Sequence, residues 1–326
     1  MKDEYCLAIR RPVGAREVEE YNAFGPWIHV VEKASDLPPR FDPYWAELAK
    51  AAHVFKVPYC VERREAFAGS DLYKQVFAIG ADGLILLGVE GGSVSRRDLG
   101  YDRIAAISLV SLLLDGRLLF EESGGGSGLE LGFNTVSSPL VMDLVDAVRE
   151  NAAAASRAAD SSSAPHSPGP DLARAPGEED MLSVNLLAEF REREKGLSLL
   201  AYQGACVFVS PSEAAGRSLI RRLGDKLHRF YSDPVMLLEG PSELVLLRRS
   251  CDPRRRKNAR SYGYVITWLP FSSLKGIRFE PRRLENSAQA TVLCLSSTGC
   301  DYELYFASPP EGVLPRLEAL AAFGGH

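Results

Sequence analysis

The sequence predicts an α+β fold of two tandem β-rich repeats, each an antiparallel sheet or partly open barrel with a C-terminal helix. Two observations lead to this prediction. A strand-to-helix pattern that begins with ELGFN at Glu130 recurs as ELYFA at Glu303. A segment rich in alanine, serine and proline separates the two copies, and 326 residues are enough for two domains with separate hydrophobic cores.

Three stretches of the two halves align in the same order. With an offset of 160 residues, DGLILL (82–87) matches SELVLL (242–247). Offsets of 170 and 173 give the further matches Ile104–Leu274 and Leu131–Leu304. Because the offsets only increase, a single alignment holds, with insertions of ten and three residues in the second repeat. The sequence therefore predicts an internal duplication.

The segment that separates the repeats has the composition of a flexible linker. Within 152–180, Leu172 is the only apolar side chain larger than alanine or proline. Such a segment buries too little surface to offset the entropy of ordering it. The predicted organisation is therefore repeat 1 with an N-terminal extension at 1–151, a linker at 152–180 and repeat 2 at 181–326.

Short runs of alternating apolar, β-branched and aromatic residues predict the strands of each repeat. In repeat 1 these runs are 57–65, 73–80, 84–89, 99–109 and 129–135. In repeat 2 they are 233–239, 243–249, 262–269, 274–280, 290–296 and 301–307. Asp115-Gly116 and Thr298-Gly299 lie between apolar runs, and each pair predicts a hairpin turn.

Each repeat is predicted to end in one amphipathic helix. Ser138-Pro139 places a capping residue before a proline of the first turn, and an apolar stripe follows. The helix of repeat 2 is predicted to begin near Leu314, because Pro315 fits only a first turn. An additional strand and helix are predicted before each sheet. These are the strands 27–31 and 205–209 and the helices 41–55 and 212–230.

The strand that follows the middle of each sheet has a recognisable spacing. In repeat 1 its residues are Tyr101, Ile104 and Ile107, and a hairpin with Gly116 and Leu118 follows; in repeat 2 its residues are Phe271, Leu274 and Ile277, without an Asp-Gly hairpin. This pattern resembles bacterial members of the pleckstrin-homology-like (PH-like) superfamily, over about 90 residues of each half. The resemblance implies a scaffold that binds peptides, proteins or lipid head groups and that rarely acts as an enzyme.

Composition and charge exclude several classes of protein. The formal net charge of −5 argues against nucleic acid as a general partner. The longest uncharged apolar run, 104–114, is too short to span a membrane, and the first residues do not have the pattern of a signal peptide. We therefore expect a cytoplasmic protein. The six cysteines are scattered without CxxC spacing, and no metal or other cofactor is predicted.

No catalytic constellation is visible in the sequence. The five histidines lie in unrelated contexts, and GxSxG and HExxH motifs are absent. The glycine-rich stretch 123–128 lacks the lysine and the helix start of a phosphate-binding loop. We therefore predict no catalytic residues and a non-catalytic binding or scaffolding protein. An enzyme of an unrecognised family stays open as an alternative.

One segment carries a concentration of positive charge. Between Arg248 and Gly263 there are seven basic residues and one acid. The basic residues are Arg248, Arg249, Arg254, Arg255, Arg256, Lys257 and Arg260. A loop with this charge predicts an anion site for a phosphate-bearing ligand or an anionic lipid, and an ordinary solvated loop is the alternative. The main expectation for a partner is another protein, and the sequence makes no prediction about oligomeric state.

Overall fold

The α+β class is confirmed by a computed structural model, in which the paired strands are antiparallel. The structure describes residues 13–25, 27–59, 64–159, 166–208, 230–250, 263–284 and 288–324. These residues divide into two compact units. Unit 1 takes the described residues up to Ile104 together with 113–120 and 127–155, and unit 2 takes 105–112, 121–126 and the described residues from Ser156 onward.

The helices and strands have the following bounds. The strands of the first half are β1 His29–Val30, β2 His53–Pro58, β3 Tyr73–Ile79, β4 Gly83–Glu90, β5 Ser93–Gly100, β6 Ile104–Leu112, β7 Asp115–Glu122 and β8 Leu129–Asn134. Those of the second half are β9 Ser198–Gln203, β10 Cys206–Phe208, β11 Phe230–Ser232, β12 Val235–Glu239, β13 Glu243–Ser250, β14 Gly263–Pro270, β15 Leu274–Arg283, β16 Gln289–Ser297 and β17 Asp301–Phe306. The helices are α1 Ala15–Ala23, α2 Trp45–Leu48, α3 Ser138–Ala159, α4 Met181–Arg193 and α5 Val313–Gly324.

Unit 1 contains a five-stranded antiparallel sheet in the order β1-β2-β3-β4-β5 and an antiparallel pair between β7 and β8. Phe77 of β3 stacks on Phe120 of β7, with ring centroids 5.6 Å apart. The apolar stripe of α3 is buried, as the spacing predicts. Its buried members are Val141, Leu144, Val145 and Val148. Unit 1 therefore has its own hydrophobic core.

Unit 2 contains five antiparallel strands in the order β6-β14-β13-β12-β9 and a separate sheet in the order β15-β16-β17. Its main core is a cluster that includes Leu237, Leu246, Leu295 and Phe306. Residues Val313, Leu317 and Leu320 of α5 belong to the same cluster. The predicted start of this helix near Leu314 is confirmed, and Pro315 lies in its first turn.

The strand β6 comes from the first half of the sequence but belongs to unit 2. It pairs with β14 from Ser111↔Tyr264 to Ile107↔Trp268. The hydroxyls of Ser108 and Thr267 lie 2.9 Å apart in this pair, and both residues are buried. The units therefore differ from the predicted boundary at residue 151. Apolar alternation identifies a strand and its buried face, but it does not identify the neighbouring strand.

The segment predicted as a linker makes ordered contacts where the structure describes it. The N–H groups of Leu172 and Ala173 donate to the Leu199 carbonyl at 2.9 and 3.2 Å. In return, the Leu199 N–H donates to the Asp171 carboxylate at 2.7 Å. Residues 169–173 therefore lie along β9 of unit 2, and the flexible linker over 152–180 stays a prediction. Backbone groups and a carboxylate make these contacts, and apolar composition is not a guide to such bonds.

A buried carboxylate strengthens this attachment. Glu239 at the end of β12 is fully buried, and Arg316 Nε donates to it at 2.9 Å. His166 Nε2 lies 2.5 Å from the same carboxylate. Burial alone would raise the pKa of Glu239, but the hydrogen bonds from Arg316 and His166 lower it below its ordinary value. Glu239 is therefore a charged anchor between the beginning of the segment and α5.

Two local predictions were wrong for identifiable reasons. The helix predicted over 41–55 ends at Leu48, and His53–Pro58 instead forms β2, because pairing with β3 supplies its backbone hydrogen bonds. The β6–β7 turn lies at Leu113 and Leu114 instead of Asp115-Gly116. Gly116 is within β7, where a Cβ atom would lie 2.5 Å from the Phe133 ring.

Other local predictions have clear outcomes. The turn at Thr298-Gly299 is confirmed between β16 and β17. The strands predicted at 27–31 and 205–209 are confirmed as the short β1 and β10. The helix predicted at 212–230 lies outside the described residues, except for Phe230, which is in β11. The sequence reasoning missed β5 and β9, because β5 has a mostly polar, exposed edge composition and β9 has little alternation.

A double-mutant cycle tests the pairing of β6 with β14. We expect Thr267→Val to lower the free energy of unfolding by about 1–3 kcal/mol, because it leaves the buried Ser108 hydroxyl without its partner. Adding Ser108→Ala should restore part of this loss. Urea denaturation of the two single variants and the double variant measures the coupling. Strictly additive losses would contradict direct contact between the two hydroxyls.

The Glu239 anchor predicts an acid-sensitive contribution to stability. A carboxyl whose pKa is lowered in the folded state stabilises the fold above its ordinary pKa of about 4.5, and this stabilisation is lost as the pH falls below that value. Glu239→Gln should lower the free energy of unfolding at pH 7 by about 2 kcal/mol. It should also reduce the fall in the free energy of unfolding between pH 5 and pH 3, measured by urea denaturation. If the free energy of unfolding changes with pH in parallel for the wild type and Glu239→Gln, the Glu239 carboxylate does not make the proposed acid-sensitive contribution.

Candidate functional site

Each unit contains a cavity lined by polar and apolar side chains beside one end of its main sheet. Cavity 1, in unit 1, has a volume of about 230 Å³. Its lining residues are Tyr59, Lys74, Gln75, Leu86, Gly88, Val89, Glu90, Ser95 and Arg97. Cavity 2, in unit 2, has a volume of about 340 Å³. Its lining residues are Phe230, Tyr231, Ser232, Asp233, Val235, Arg248, Arg249, Val265, Glu303, Leu304 and Tyr305.

The two cavities lie at corresponding rungs of their sheets. In unit 1, Gln75 of β3 is opposite Gly88 of β4, which is opposite Ser95 of β5. In unit 2, the residues at the same rungs of β12, β13 and β14 are Val235, Arg248 and Val265. The last strand lines cavity 2, through Glu303, Leu304 and Tyr305 of β17, whereas no residue of β8 lines cavity 1.

Cavity 1 combines two cations with an amide. Arg97 donates to the Gly128 carbonyl at 3.2 Å, and Gln75 Nε2 donates to the Glu130 carbonyl at 3.2 Å. The Gln75 Oε1 atom is buried without a hydrogen-bond partner among the described residues. The Lys74 ammonium makes no ion pair within the described ranges. The cavity therefore presents an available cation beside an available acceptor.

Arg249, one of the predicted anion-binding residues, already has an internal partner. Its guanidinium lies 2.7 Å from the Asp180 carboxylate, and both side chains are largely buried. Tyr202 also donates to Asp180, at 3.1 Å. Burial and the nearby charge of Asp180 raise the pKa of Tyr202 to about 12, so its hydroxyl stays a donor. This network holds Arg249 in the wall of cavity 2.

Arg248, the neighbouring residue, is available. Its guanidinium carbon lies 6.0 Å from the centre of the Tyr302 ring, a cation–π arrangement. Its Nε atom is buried without a hydrogen-bond partner among the described residues. A buried donor without a partner costs free energy, and an acceptor on a ligand would remove that cost. Arg254, Arg255, Arg256, Lys257 and Arg260, the other predicted anion-binding residues, lie outside the described residues.

Glu303, an acid of the cavity lining, is engaged elsewhere. Glu303 lies 2.5 Å from Arg282, and Tyr305 donates to it at 2.9 Å. The hydrogen bond from Arg282, followed by that from Tyr305, lowers the pKa of Glu303, so the carboxylate stays charged and paired. Cavity 2 therefore presents the unpaired Arg248 beside a carboxylate whose charge is already balanced.

A second group of titratable side chains is buried in unit 1. The Lys56 ammonium donates to the Asp36 carbonyl at 2.8 Å, lies 3.6 Å from Glu20 and is 4.4 Å from the centre of the Tyr73 ring. Burial lowers the pKa of Lys56 and raises that of Glu20. None of these residues lines cavity 1. The cluster therefore fixes α1 and the chain before β2 onto the sheet.

The described residues lack two features that would point to other kinds of functional site. They contain no group of three or more histidine, cysteine, aspartate or glutamate side chains arranged to hold a metal ion. None of their helices combines the length and the apolar character of a membrane-spanning helix. No protein-family model matches the chain, and neither a curated protein nor a solved structure matches it. The two cavities are the candidate sites within the described residues.

Stability measurements can separate the two neighbouring arginines. Arg249→Met should lower the free energy of unfolding by about 3 kcal/mol, because it leaves the largely buried Asp180 without its counter-charge. Arg248→Met is the matched control, and it should cost less than about 1 kcal/mol, the size of a cation–π contact. Urea denaturation compares the two variants. Equal losses would mean that Arg248 is also a structural residue.

Proposed function

We propose that this chain is a non-catalytic binding or scaffolding protein built from two PH-like halves. The order of elements supports this proposal. The first half has the strands β2-β3-β4-β5, a 3₁₀ turn at Tyr101–Arg103, the strands β6, β7 and β8, and then α3. The second half has β9, the short strands β10 and β11, the strands β12-β13-β14, a 3₁₀ turn at Phe271–Ser273, β15-β16-β17 and then α5. Successive antiparallel strands that end in one C-terminal helix are what the PH-like resemblance implies for each half.

The observation that carries the proposal is the recurrence of a cavity with cationic side chains at matching rungs of both halves. Ligand sites are concave and combine apolar walls with a few convergent polar groups. Each cavity has this character, with Lys74 and Gln75 in cavity 1 and Arg248 in cavity 2.

A specific observation favours a phosphate-bearing ligand for cavity 2. Arg248 has a buried donor without a partner, while Arg249 and Glu303 are both paired. A guanidinium matches the geometry of phosphate oxygens and keeps its charge at every physiological pH. Cavity 2 also adjoins the end of β13, where the predicted basic segment begins. A protein partner that presents a phosphorylated or acidic side chain would use the same chemistry.

Pyrophosphate is a suitable probe for cavity 2. We expect it to raise the melting temperature of the full chain, because a ligand that binds only the folded state stabilises it. Arg248→Gln should remove most of this increase. Arg278→Gln is the matched control, since Arg278 is an exposed arginine of β15 whose partner is Glu280. Scanning calorimetry at two salt concentrations provides the measurement.

The outcomes of this experiment separate specific from general charge effects. Equal increases for all three proteins would indicate nonspecific attraction to surface cations, and the role proposed for Arg248 would be wrong. A loss confined to Arg248→Gln would support an anion site in cavity 2. If pyrophosphate has no effect on any of the proteins, a protein partner without a phosphate group becomes the leading candidate.

A further inference from the structure

The turn between β6 and β7 has an unusual composition. Leu113 and Leu114 form this two-residue turn, and 58% and 66% of their surfaces are exposed. Leu113 has a φ of 55°, and it is the only non-glycine residue with positive φ in the described part of the chain. Glycine, asparagine and aspartate are the residues that tolerate this conformation, whereas a leucine is strained in it.

The packing of unit 1 does not explain these leucines. A residue retained at a strained position normally has a role that offsets the cost, most often a buried contact or a function. More than half of each leucine surface is exposed, so neither contributes a full core contact. Asparagine at 113 would form the same turn with less strain and a more soluble surface. The exposed apolar groups therefore point to a surface that meets something outside the chain.

Two more exposed apolar side chains lie beside this turn. The Thr135 N–H donates to the Leu114 carbonyl at 3.2 Å, and its hydroxyl donates to the Leu113 carbonyl at 2.6 Å. These bonds bring Val136, which is 63% exposed, next to the turn. One residue further, Ser137 accepts a hydrogen bond from the Ile28 N–H at 2.9 Å, so Trp27 lies near the same segment.

We call Trp27, Leu113, Leu114 and Val136 the apolar tip of unit 1. Trp27 is 44% exposed, so part of its ring is available together with the three aliphatic side chains. The hydrogen bonds from Thr135 and Ile28 fix the backbone on which these side chains stand. The apolar tip is therefore ordered in advance, which reduces the entropy lost on binding.

The size of the apolar tip favours a lipid surface over a protein. Side chains of these sizes and exposures present together on the order of 400 Å² of surface. A stable protein interface needs about 800 Å² from each partner. Leucines at the end of a hairpin reach the acyl boundary of a bilayer without needing a shaped pocket, and tryptophan prefers the headgroup region.

The charges around the apolar tip indicate which class of lipid head group it would contact. Arg117 is the nearest cation of the adjoining strands, and it lies 4.0 Å from Asp115 and 3.7 Å from Glu130. The two acids outnumber the one base, so the apolar tip has no electrostatic attraction to an anionic surface. We propose that the apolar tip is a membrane-contact element that inserts its leucines into the interfacial region of a zwitterionic bilayer. This goes beyond the anion site proposed for unit 2 and does not depend on it.

The test uses the full chain and vesicles of phosphatidylcholine. Co-sedimentation over a range of lipid concentrations should give a partition constant that changes little with salt, because apolar burial is not screened. Leu113→Asn should reduce this constant by about tenfold or more, the effect of losing one inserted leucine. The same substitution should leave the melting temperature unchanged or raise it, because asparagine relieves the strained φ.

Two further variants complete the design. Leu172→Asn is the matched control, since Leu172 is 43% exposed and lies outside the apolar tip. It should bind vesicles as the wild type does. Phosphatidylcholine with brominated acyl chains should quench the tryptophan fluorescence of the wild type. Trp27→Phe should remove most of the quenching, because the Trp268 ring is fully buried and Trp45 packs against the core of unit 1.

Each outcome bears directly on the proposal. Wild-type binding that Leu113→Asn weakens and Leu172→Asn preserves would support it. Three outcomes would overturn it, namely no binding of the wild type to phosphatidylcholine at millimolar lipid, equal binding of Leu113→Asn, or binding that appears only with anionic lipid. In the last case Arg248→Gln would separate a contribution of cavity 2 from that of unit 1.

Discussion

Backbone pairing on both edges of β14 is the constraint on which unit 2 depends. One edge of β14 pairs with β13 and the other with β6, so every N–H and C=O group in the shared rungs has a sheet partner. Trp268 lies on this strand and is fully buried. An unpaired β14 would be an open edge that invites association with other chains. Because β6 covers this edge, a strand from the first half of the sequence becomes part of the core of the second unit.

Buried charges hold the chain before β9 in a similar way. Glu239 binds Arg316 and His166, and Asp180 binds Arg249, so two carboxylates tie residues 166–180 and the start of α4 to the strands of unit 2. A buried carboxylate needs a partner of opposite charge, because desolvation without one is costly. These partners therefore select one path for a polar segment that has little apolar surface of its own.

The same network gives two neighbouring arginines different roles. Arg248 and Arg249 both line cavity 2, but Asp180 neutralises only Arg249. Arg248 remains in the lining of cavity 2 with an unpartnered donor, while the turn at Leu113 in unit 1 exposes leucines in a strained conformation. Both features have a cost within the chain, and the proposals for cavity 2 and for the apolar tip start from these costs.

The sequence by itself determined most of the strands, the turn at Thr298-Gly299 and the helices that begin at Ser138 and Val313, because alternation, turn residues and caps act over a few neighbouring residues. The run of basic residues was also visible, and it includes Arg248. Only the tertiary structure decided that β6 pairs with β14, that Asp180 forms an ion pair with Arg249 and that Leu113 takes the strained turn position. These features join residues far apart in the chain. A local pattern specifies which face of a strand is buried, whereas its neighbour and the partner of a charge depend on how distant elements meet.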